Sequence, residues 1–121
     1  MKKKILLLTS DNVFYLLLKS HIEFLSPYII CEKIAKHSNL NTEIGNKAAL
    51  IIVDGKIIDI SPIGLIYNMR YKDLITTPVW FISEVTTPAY KNKALEVGAN
   101  KIFGKPFDAL QMAREVVMFV L

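Results

Sequence analysis

Short apolar runs alternate with longer stretches along the whole chain, and this alternation limits the possible folds more than any other feature of the sequence. Each run is short and apolar throughout, as expected for a strand that is buried on both faces. Most of the stretches between them carry apolar residues at helical spacing. Five strands that alternate with five helices predict a parallel sheet covered on both faces, which is a doubly wound α/β fold. The predicted strands are residues 5–8, 28–31, 50–53, 79–82 and 102–103.

The helices are predicted from their apolar faces and from residues suited to helix ends. Pro88 suits the first turn of the fourth helix, Gly98 suits its carboxyl-terminal end, and Asp108 suits the amino-terminal cap of the last helix. The polar stretch 39–46 is weakly patterned and predicts a short second helix. The side chains predicted to face the core are Phe14, Leu17, Leu18 and Ile22 in the first helix, Leu65, Ile66 and Met69 in the third, Ala94, Leu95 and Val97 in the fourth, and Leu110, Ala113, Val116, Val117 and Val120 in the last.

Length and composition indicate one soluble domain. The chain has 121 residues, of which 52% are hydrophobic and 21% charged, so residues 1–121 can form a single domain with a sizeable core. The apolar runs are too short to span a bilayer, and we expect a cytoplasmic protein with no membrane partner. The formal net charge is +4, but the basic residues outside Lys2–Lys4 are scattered singly, which argues against a nucleic-acid partner. The one cysteine, Cys31, excludes an internal disulfide and is predicted to be a buried thiol.

Polar residues follow several of the predicted strands at the point where each strand ends. In a doubly wound fold, ligands bind at the carboxyl ends of the strands, near the point where the strand order reverses. Asp54 ends the third strand in this way, directly after four apolar residues. The sequence therefore predicts a site around Asp54. The other polar residues expected there are Thr9, Ser10 and Asp11 after the first strand, Ser83 at the end of the fourth, and Lys105 after the fifth.

Three segments resemble response-regulator receiver domains, the phosphoacceptor domains of two-component signalling. They are LIIVD at 50–54, TPVWFIS at 77–83, and ALEVGANKIFGKPF at 94–107, and the resemblance extends over the whole chain. It implies a (βα)5 flavodoxin-like fold with strand order 2-1-3-4-5. It also implies that the domain is not an enzyme, and that a histidine kinase or phosphotransfer protein is its partner. In this family an aspartate accepts a phosphoryl group, and the residue that matches it is Asp54.

The resemblance also implies roles for other residues of the site. Lys105 would place a positive charge near Asp54, and the hydroxyl of Ser83 would hydrogen-bond a phosphoryl oxygen. Ile102 occupies the position of the aromatic switch residue, and an isoleucine there is expected to stay buried. Lys105-Pro106 resembles the cis peptide of the family. The expected cofactor is Mg²⁺, bound by Asp54 and by the backbone carbonyl of Lys56.

The first strand departs from the family pattern. Receiver domains usually follow this strand with two adjacent acidic residues that bind magnesium, and those positions are held by Thr9 and Ser10. A shift of one residue would make Asp11 the second acid, but the apolar pattern of the following helix favours the unshifted alignment. Asp11 could still reach the metal directly or through water. Two hydroxyls in place of two carboxylates predict weak magnesium binding, with a Lys105–Asp54 ion pair and local hydrogen bonds from Thr9 and Ser10 instead.

Three functions remain compatible with the sequence. In the first, Asp54 is phosphorylated, but its magnesium-dependent phosphorylation is weakened. In the second, the chain is a degenerate pseudo-receiver that binds a partner without phosphate, which Ile102 and the bulky acid Glu84 favour. The third, a flavodoxin-like enzyme or cofactor carrier, lacks a glycine-rich loop after the first strand.

The last helix ends in an unusually apolar run, residues 116–121. Either it is an ordinary core-facing helix, or a partner covers its tip. The second reading predicts a homodimer or a partner protein bound through the last helices. The cognate kinase and the output remain open at this point.

Overall fold

The computed structural model describes residues 2–55, 57, 60–105 and 108–121. The predicted alternation of strands and helices is confirmed. A single 3-10 turn, His37–Asn39, precedes the second helix. The strands are β1 (Lys3–Leu8), β2 (Ile29–Ile34), β3 (Leu50–Asp54), β4 (Val79–Ser83) and β5 (Lys101–Gly104). The helices are α1 (Asn12–Leu25), α2 (Thr42–Lys47), α3 (Pro62–Tyr71), α4 (Pro88–Val97) and α5 (Ala109–Val120).

The five strands form one parallel sheet in the order β2-β1-β3-β4-β5. This confirms the predicted doubly wound fold and its strand order. The register aligns the carboxyl ends of the central strands, because Leu8 pairs with Val53 and Asp54 pairs with Ile82. Ser83 in turn pairs with Gly104, so the ends of β4 and β5 lie at the same edge of the sheet. The polar residues that follow these strands are thereby brought to one side of the molecule.

Apolar side chains cover both faces of the sheet. Phe14, Leu18 and Ile22 of α1 and Met112 of α5 pack on one face. Residues of α3 and α4 pack on the other, among them Met69. The strands β3 and β4 are buried along their full length, which is why their sequences are apolar without alternation. Within the described residues, no helix is both long and apolar enough to cross a membrane.

Three of the side chains that were predicted to face the core are instead partly exposed. Leu17 is 45% exposed, Leu95 is 48% exposed and Leu110 is at 36%. In α1, Leu18 and Ile22 are fully buried. Successive side chains of a helix point about 100° apart around its axis. Burial of a leucine or isoleucine side chain is worth about 2 kcal/mol. The burial of Leu18 therefore sets the orientation of α1 and directs Leu17 outward.

Side chains of α1 cover the outer edge of β2. Cys31 directs its backbone N–H away from the sheet, and the carboxylate of Glu23 accepts it at 2.8 Å. The backbone carbonyl of Cys31 accepts hydrogen bonds from Lys19 Nζ at 3.2 Å and from the Tyr15 hydroxyl at 3.4 Å. Lys19 and Glu23 also form an ion pair at 2.6 Å. The middle of this edge strand therefore already has hydrogen-bond partners.

Arg70 joins the carboxyl end of α3 to the loop after α4. Its guanidinium donates hydrogen bonds to the carbonyls of Gly98, Ile75 and Thr77 and to the side chain of Asn100. Burial lowers the pKa of Arg70. Gly98 ends α4 with a φ of 124°, in the region that favours glycine, as predicted for a helix end. A Cβ at Gly98 would clash with the Arg70 side chain.

Candidate functional site

Asp54 is the last residue of β3, and it is fully buried. Each of its carboxylate oxygens has a hydrogen-bond donor. Oδ1 lies 2.6 Å from Lys105 Nζ, and Oδ2 accepts a hydrogen bond from Thr9 Oγ1 at 2.7 Å. A buried carboxylate requires a counter-ion or several donors, because removal from water is costly. Thr9, which follows β1, and Lys105, which follows β5, meet that requirement from opposite sides of Asp54 in the strand order.

Thr9 lies immediately after β1 and is also fully buried. Its hydroxyl donates to Asp54 and accepts the backbone N–H of Asp11 at 3.0 Å. The hydroxyl thus acts as donor and acceptor at once, which fixes its orientation. Thr9 is a positioning residue for the Asp54 carboxylate. The sequence predicted that Thr9 would lie near Asp54 and form local hydrogen bonds, but the bond to the Asp54 carboxylate was not predicted.

Ser10 and Asp11 have bonds that lead away from Asp54. Asp11 is the amino-terminal cap of α1, because its Oδ1 accepts the backbone N–H groups of Val13 at 2.9 Å and Phe14 at 3.1 Å. The hydroxyl of Ser10 donates to the carbonyl of Ala35 at 3.4 Å. The side chain of Thr9, in contrast, reaches the Asp54 carboxylate.

Ser83 ends β4 and is buried, next to Ile82, the β4 partner of Asp54. Its hydroxyl donates to the carbonyl of Val85 at 2.9 Å and accepts the N–H of Val85 at 3.0 Å. This bonding closes a small turn in the loop after β4. The hydroxyl would have to rotate out of the turn to bind a phosphoryl oxygen. Glu84, which follows it, is exposed.

Ile102 lies in the middle of β5 and is half-buried. It packs against the hydrophobic core on the α3 and α4 side of the sheet. The backbone carbonyl expected from Lys56 and the Lys105-Pro106 peptide both involve residues outside those that the structure describes. Their predicted roles remain predictions.

The described residues around Asp54 fit a magnesium site poorly. Magnesium prefers carboxylate oxygens in octahedral geometry, and no group of three His, Cys, Asp or Glu residues in the described part of the chain could hold a metal ion. The positions expected to carry acids hold hydroxyls, and the Asp11 carboxylate caps α1. Lys105 already places a positive charge against Asp54. A metal would have to compete with that ammonium group for the same carboxylate.

Comparison with known proteins identifies the fold. No family model matches the chain. The transcriptional regulatory protein CrdR of Helicobacter pylori is 28% identical over 121 residues, which cover 98% of this chain and 55% of that protein. The chain thus spans about half the length of this curated relative.

Two solved structures show the same architecture. One is the signal receiver domain of a putative Luxo repressor protein from Vibrio parahaemolyticus, with a TM-score of 0.82 and 18% identity over 99% of this chain and 91% of that one. The other is a CheY-like response regulator receiver domain protein from Methanospirillum hungatei, with a TM-score of 0.81 and 17% identity over 99% and 94%. These similarities confirm the resemblance that the strand-end segments predicted.

Proposed function

Because this chain has the fold of response-regulator receiver domains, we propose that it is a receiver module of two-component signalling, with Asp54 at the phosphoacceptor position. The observation that supports this proposal is the buried Asp54 carboxylate at the end of β3, 2.6 Å from the ammonium group of Lys105. A carboxylate that attacks phosphorus needs a cation to neutralise the oxygens of the transferred group, and Lys105 can supply it. The module transmits a signal and is not itself an enzyme. It works in the cytoplasm, with a histidine kinase or phosphotransfer protein as its partner.

Phosphorylation at Asp54 is weakened in this proposal. Both carboxylate oxygens are engaged, one by Lys105 and one by Thr9, so the attacking oxygen must first lose a bond in a buried site. Thr9 and Ser10 provide no negative charge to hold Mg²⁺, so Asp54 and Lys105 must act with weak help from a metal. The expected cofactor therefore binds weakly. Because Thr9 and Ser10 are neutral and do not repel the Asp54 carboxylate, the site is stable without a phosphoryl group.

A second candidate function is a binding module that works without phosphate. It is favoured by the completeness of the bonding at Asp54, together with the Ser83 hydroxyl, which bonds within its own loop. In this case the site fixes one conformation of the loops at the edge of the sheet. The partner, or a second copy, would then bind the last helices and strand: α4, β5 and α5.

Intact mass after incubation with acetyl phosphate, with and without Mg²⁺, tests the proposal. The variants are wild type, Asp54→Asn, and Thr9→Asp combined with Ser10→Asp. A gain of one phosphoryl group in the wild type, absent in Asp54→Asn, supports the receiver function. A gain only in the variant with two new acids supports the phosphate-independent module and identifies Thr9 and Ser10 as its cause. No gain in any variant contradicts the assignment of Asp54.

A further inference from the structure

A cavity lies at the edge of the sheet where the strands begin, and its volume is about 360 Å³. The residues that line it are Lys2, Lys3, Lys4, Lys47, Ala48 and Ala49. The cavity formed by these six residues is called the lysine cavity below. Its lysines come from the start of β1 and from the carboxyl-terminal end of α2. The lysine cavity lies at the opposite end of β1 from Thr9, so it is separate from the candidate site around Asp54.

The fold fixes the backbone that carries these lysines. The N–H of Lys3 donates to the carbonyl of Tyr28, and the N–H of Ala49 donates to the carbonyl of Lys4, both at 2.8 Å. These bonds join the start of β1 to β2 on one side and to β3 on the other. The side chains of Ala48 and Ala49 are short, so they leave the space among the lysines open. The lysine cavity is therefore a recess formed by the sheet and α2 together, which a run of lysines in the sequence does not predict.

Two of the four lysines have acidic partners that hold them weakly. Lys4 Nζ lies 2.9 Å from a carboxylate oxygen of Glu32, and both side chains are about half exposed. Lys47 Nζ lies 2.8 Å from a carboxylate oxygen of Glu43, and both side chains are more than two-thirds exposed. Exposed ion pairs contribute little to stability, because water and salt screen them. An anion of higher charge can therefore replace either carboxylate at little cost.

The other two lysines leave positive charge without a counter-ion. Lys2 and Lys3 form no ion pair with any residue that the structure describes. Glu23 lies within electrostatic range of Lys2, but it is already paired with Lys19 at 2.6 Å. The lysine cavity therefore has an excess of about two positive charges, and like charges close together repel one another unless an anion joins them.

We propose that the lysine cavity is a binding site for a small anion that carries several phosphate groups. Lysine ammonium groups bind phosphate oxygens as point charges, and a phosphate chain presents several negative charges over a short length. The volume of the cavity lies at the lower end of the range for small-ligand sites. A nucleic-acid strand would need a basic stripe that extends over many phosphates, whereas these lysines converge on one cavity. A free polyphosphate and the phosphate chain of a nucleotide share this chemistry.

Isothermal titration calorimetry of the whole chain with inorganic tripolyphosphate tests the proposal, in magnesium-free buffer at about 50 mM salt. The wild type should bind one tripolyphosphate with a Kd of about 50 µM, and orthophosphate at least about tenfold more weakly because it carries fewer charges. Lys2→Gln combined with Lys47→Gln should weaken tripolyphosphate binding at least about tenfold. The matched control is Lys91→Gln combined with Lys93→Gln, which removes two exposed charges from α4 and should leave the Kd unchanged. Circular dichroism confirms that each variant is folded.

Nuclear magnetic resonance then locates the bound anion. During titration with tripolyphosphate, the amide resonances of Ala48 and Ala49 should shift more than those of Asp54 and Ser83. Magnesium-free ATP distinguishes the two sources of the shared chemistry. Tighter binding of ATP than of tripolyphosphate identifies a nucleotide as the ligand, and equal or weaker binding identifies a free polyphosphate. Either result supports the lysine cavity as the site. The inference does not rest on the function proposed for Asp54, because the anion needs neither phosphorylation nor a metal.

Four results would overturn the inference. The first is no measurable binding of tripolyphosphate at about 1 mM. The second is a control variant that weakens binding as much as the variant of Lys2 and Lys47, because binding would then follow net charge alone. The third is a set of resonance shifts centred on Asp54, which would place the anion at the candidate site. The fourth is a single-stranded DNA of about 20 nucleotides that binds at least about tenfold tighter than tripolyphosphate through Lys2 and Lys47, because the surface would then serve an extended polymer.

Discussion

Replacing Lys105 with methionine should destabilise the fold more than any change to an exposed ion pair. Lys105→Met keeps most of the side-chain volume but removes the ammonium group 2.6 Å from a carboxylate that is fully buried. Asp54 would keep the Thr9 hydrogen bond but lose the cation that neutralises it. Removing one partner of a buried ion pair costs about 3–5 kcal/mol, because the other charge is left in a poorly solvating environment.

The geometry favours the lower part of that range. The Lys105 side chain is 16% exposed, so some water can reach the vacated position. We therefore expect a loss of about 3 kcal/mol in the free energy of unfolding, which for a domain of this size lowers the melting temperature by roughly 10 °C. Asp54→Asn combined with Lys105→Met should recover about 2 kcal/mol of that loss, because no uncompensated charge remains in the double variant.

Urea denaturation at neutral pH measures the loss in the free energy of unfolding for Lys105→Met and its recovery in the double variant, provided that the unfolding transitions of all variants have the same slope. Lys47→Met is the matched control, since Lys47 pairs with Glu43 at 2.8 Å and both side chains are more than two-thirds exposed. This variant should leave the urea midpoint unchanged. Equal shifts for Lys105→Met and Lys47→Met would refute the reasoning, and so would a double variant less stable than Lys105→Met alone.

Three further predictions concern other parts of the fold. Burial raises the pKa of the Cys31 thiol to about 12. Iodoacetamide at mildly alkaline pH should therefore label Cys31 only in denaturant. Rapid labelling of the native protein, detected by mass, would contradict this. Burial alone would raise the pKa of Glu23, but hydrogen bonds from Cys31 and Lys19 outweigh it and lower that pKa. Glu23→Gln should therefore cost about 1 kcal/mol at neutral pH, and urea midpoints should show the cost fading as the pH falls below 4.5, the ordinary value of the carboxyl. Gly98→Ala should lower stability by about 1–3 kcal/mol, because φ is 124° and the new methyl would meet Arg70; an unchanged thermal melt would disprove this.

The sheet could be predicted from sequence because its central strands are continuous apolar runs. Residues 50–53 and 79–82 are buried on both faces, so they are apolar at every position. The edge strand β2 was harder, since it was predicted at 28–31 and runs over Ile29–Ile34. Buried and exposed residues alternate along β2, and Glu32 is among the exposed ones. An edge strand needs only one buried face, so a rule based on continuous apolar runs ends it too early.

The site residues were found from sequence by their positions, and the ion pair between Lys105 and Asp54 was predicted as well. The hydrogen bonds of the Thr9 and Ser83 hydroxyls were not. Asp54 ends a strand, Thr9 and Lys105 each follow one, and parallel strands bring their carboxyl ends together. Local spacing cannot show that Thr9 donates to Asp54, because the two residues are 45 positions apart. Nor could it show that the Ser83 hydroxyl turns into its own loop. One general rule could have indicated the Thr9 bond: a buried carboxylate needs donors for both of its oxygens. A single lysine does not meet that need, so a second donor was to be expected.

The cover that α1 places on β2 also limits how copies of this chain can join. An extended peptide or a growing fibril adds to a sheet through the unpaired backbone groups of an edge strand. At the middle of β2 those groups are already bonded to Tyr15, Lys19 and Glu23. The opposite edge, β5, is only four residues long. Strand addition at β2 would require α1 to move away, so any contact that holds α1 in place also protects the protein from fibrous assembly.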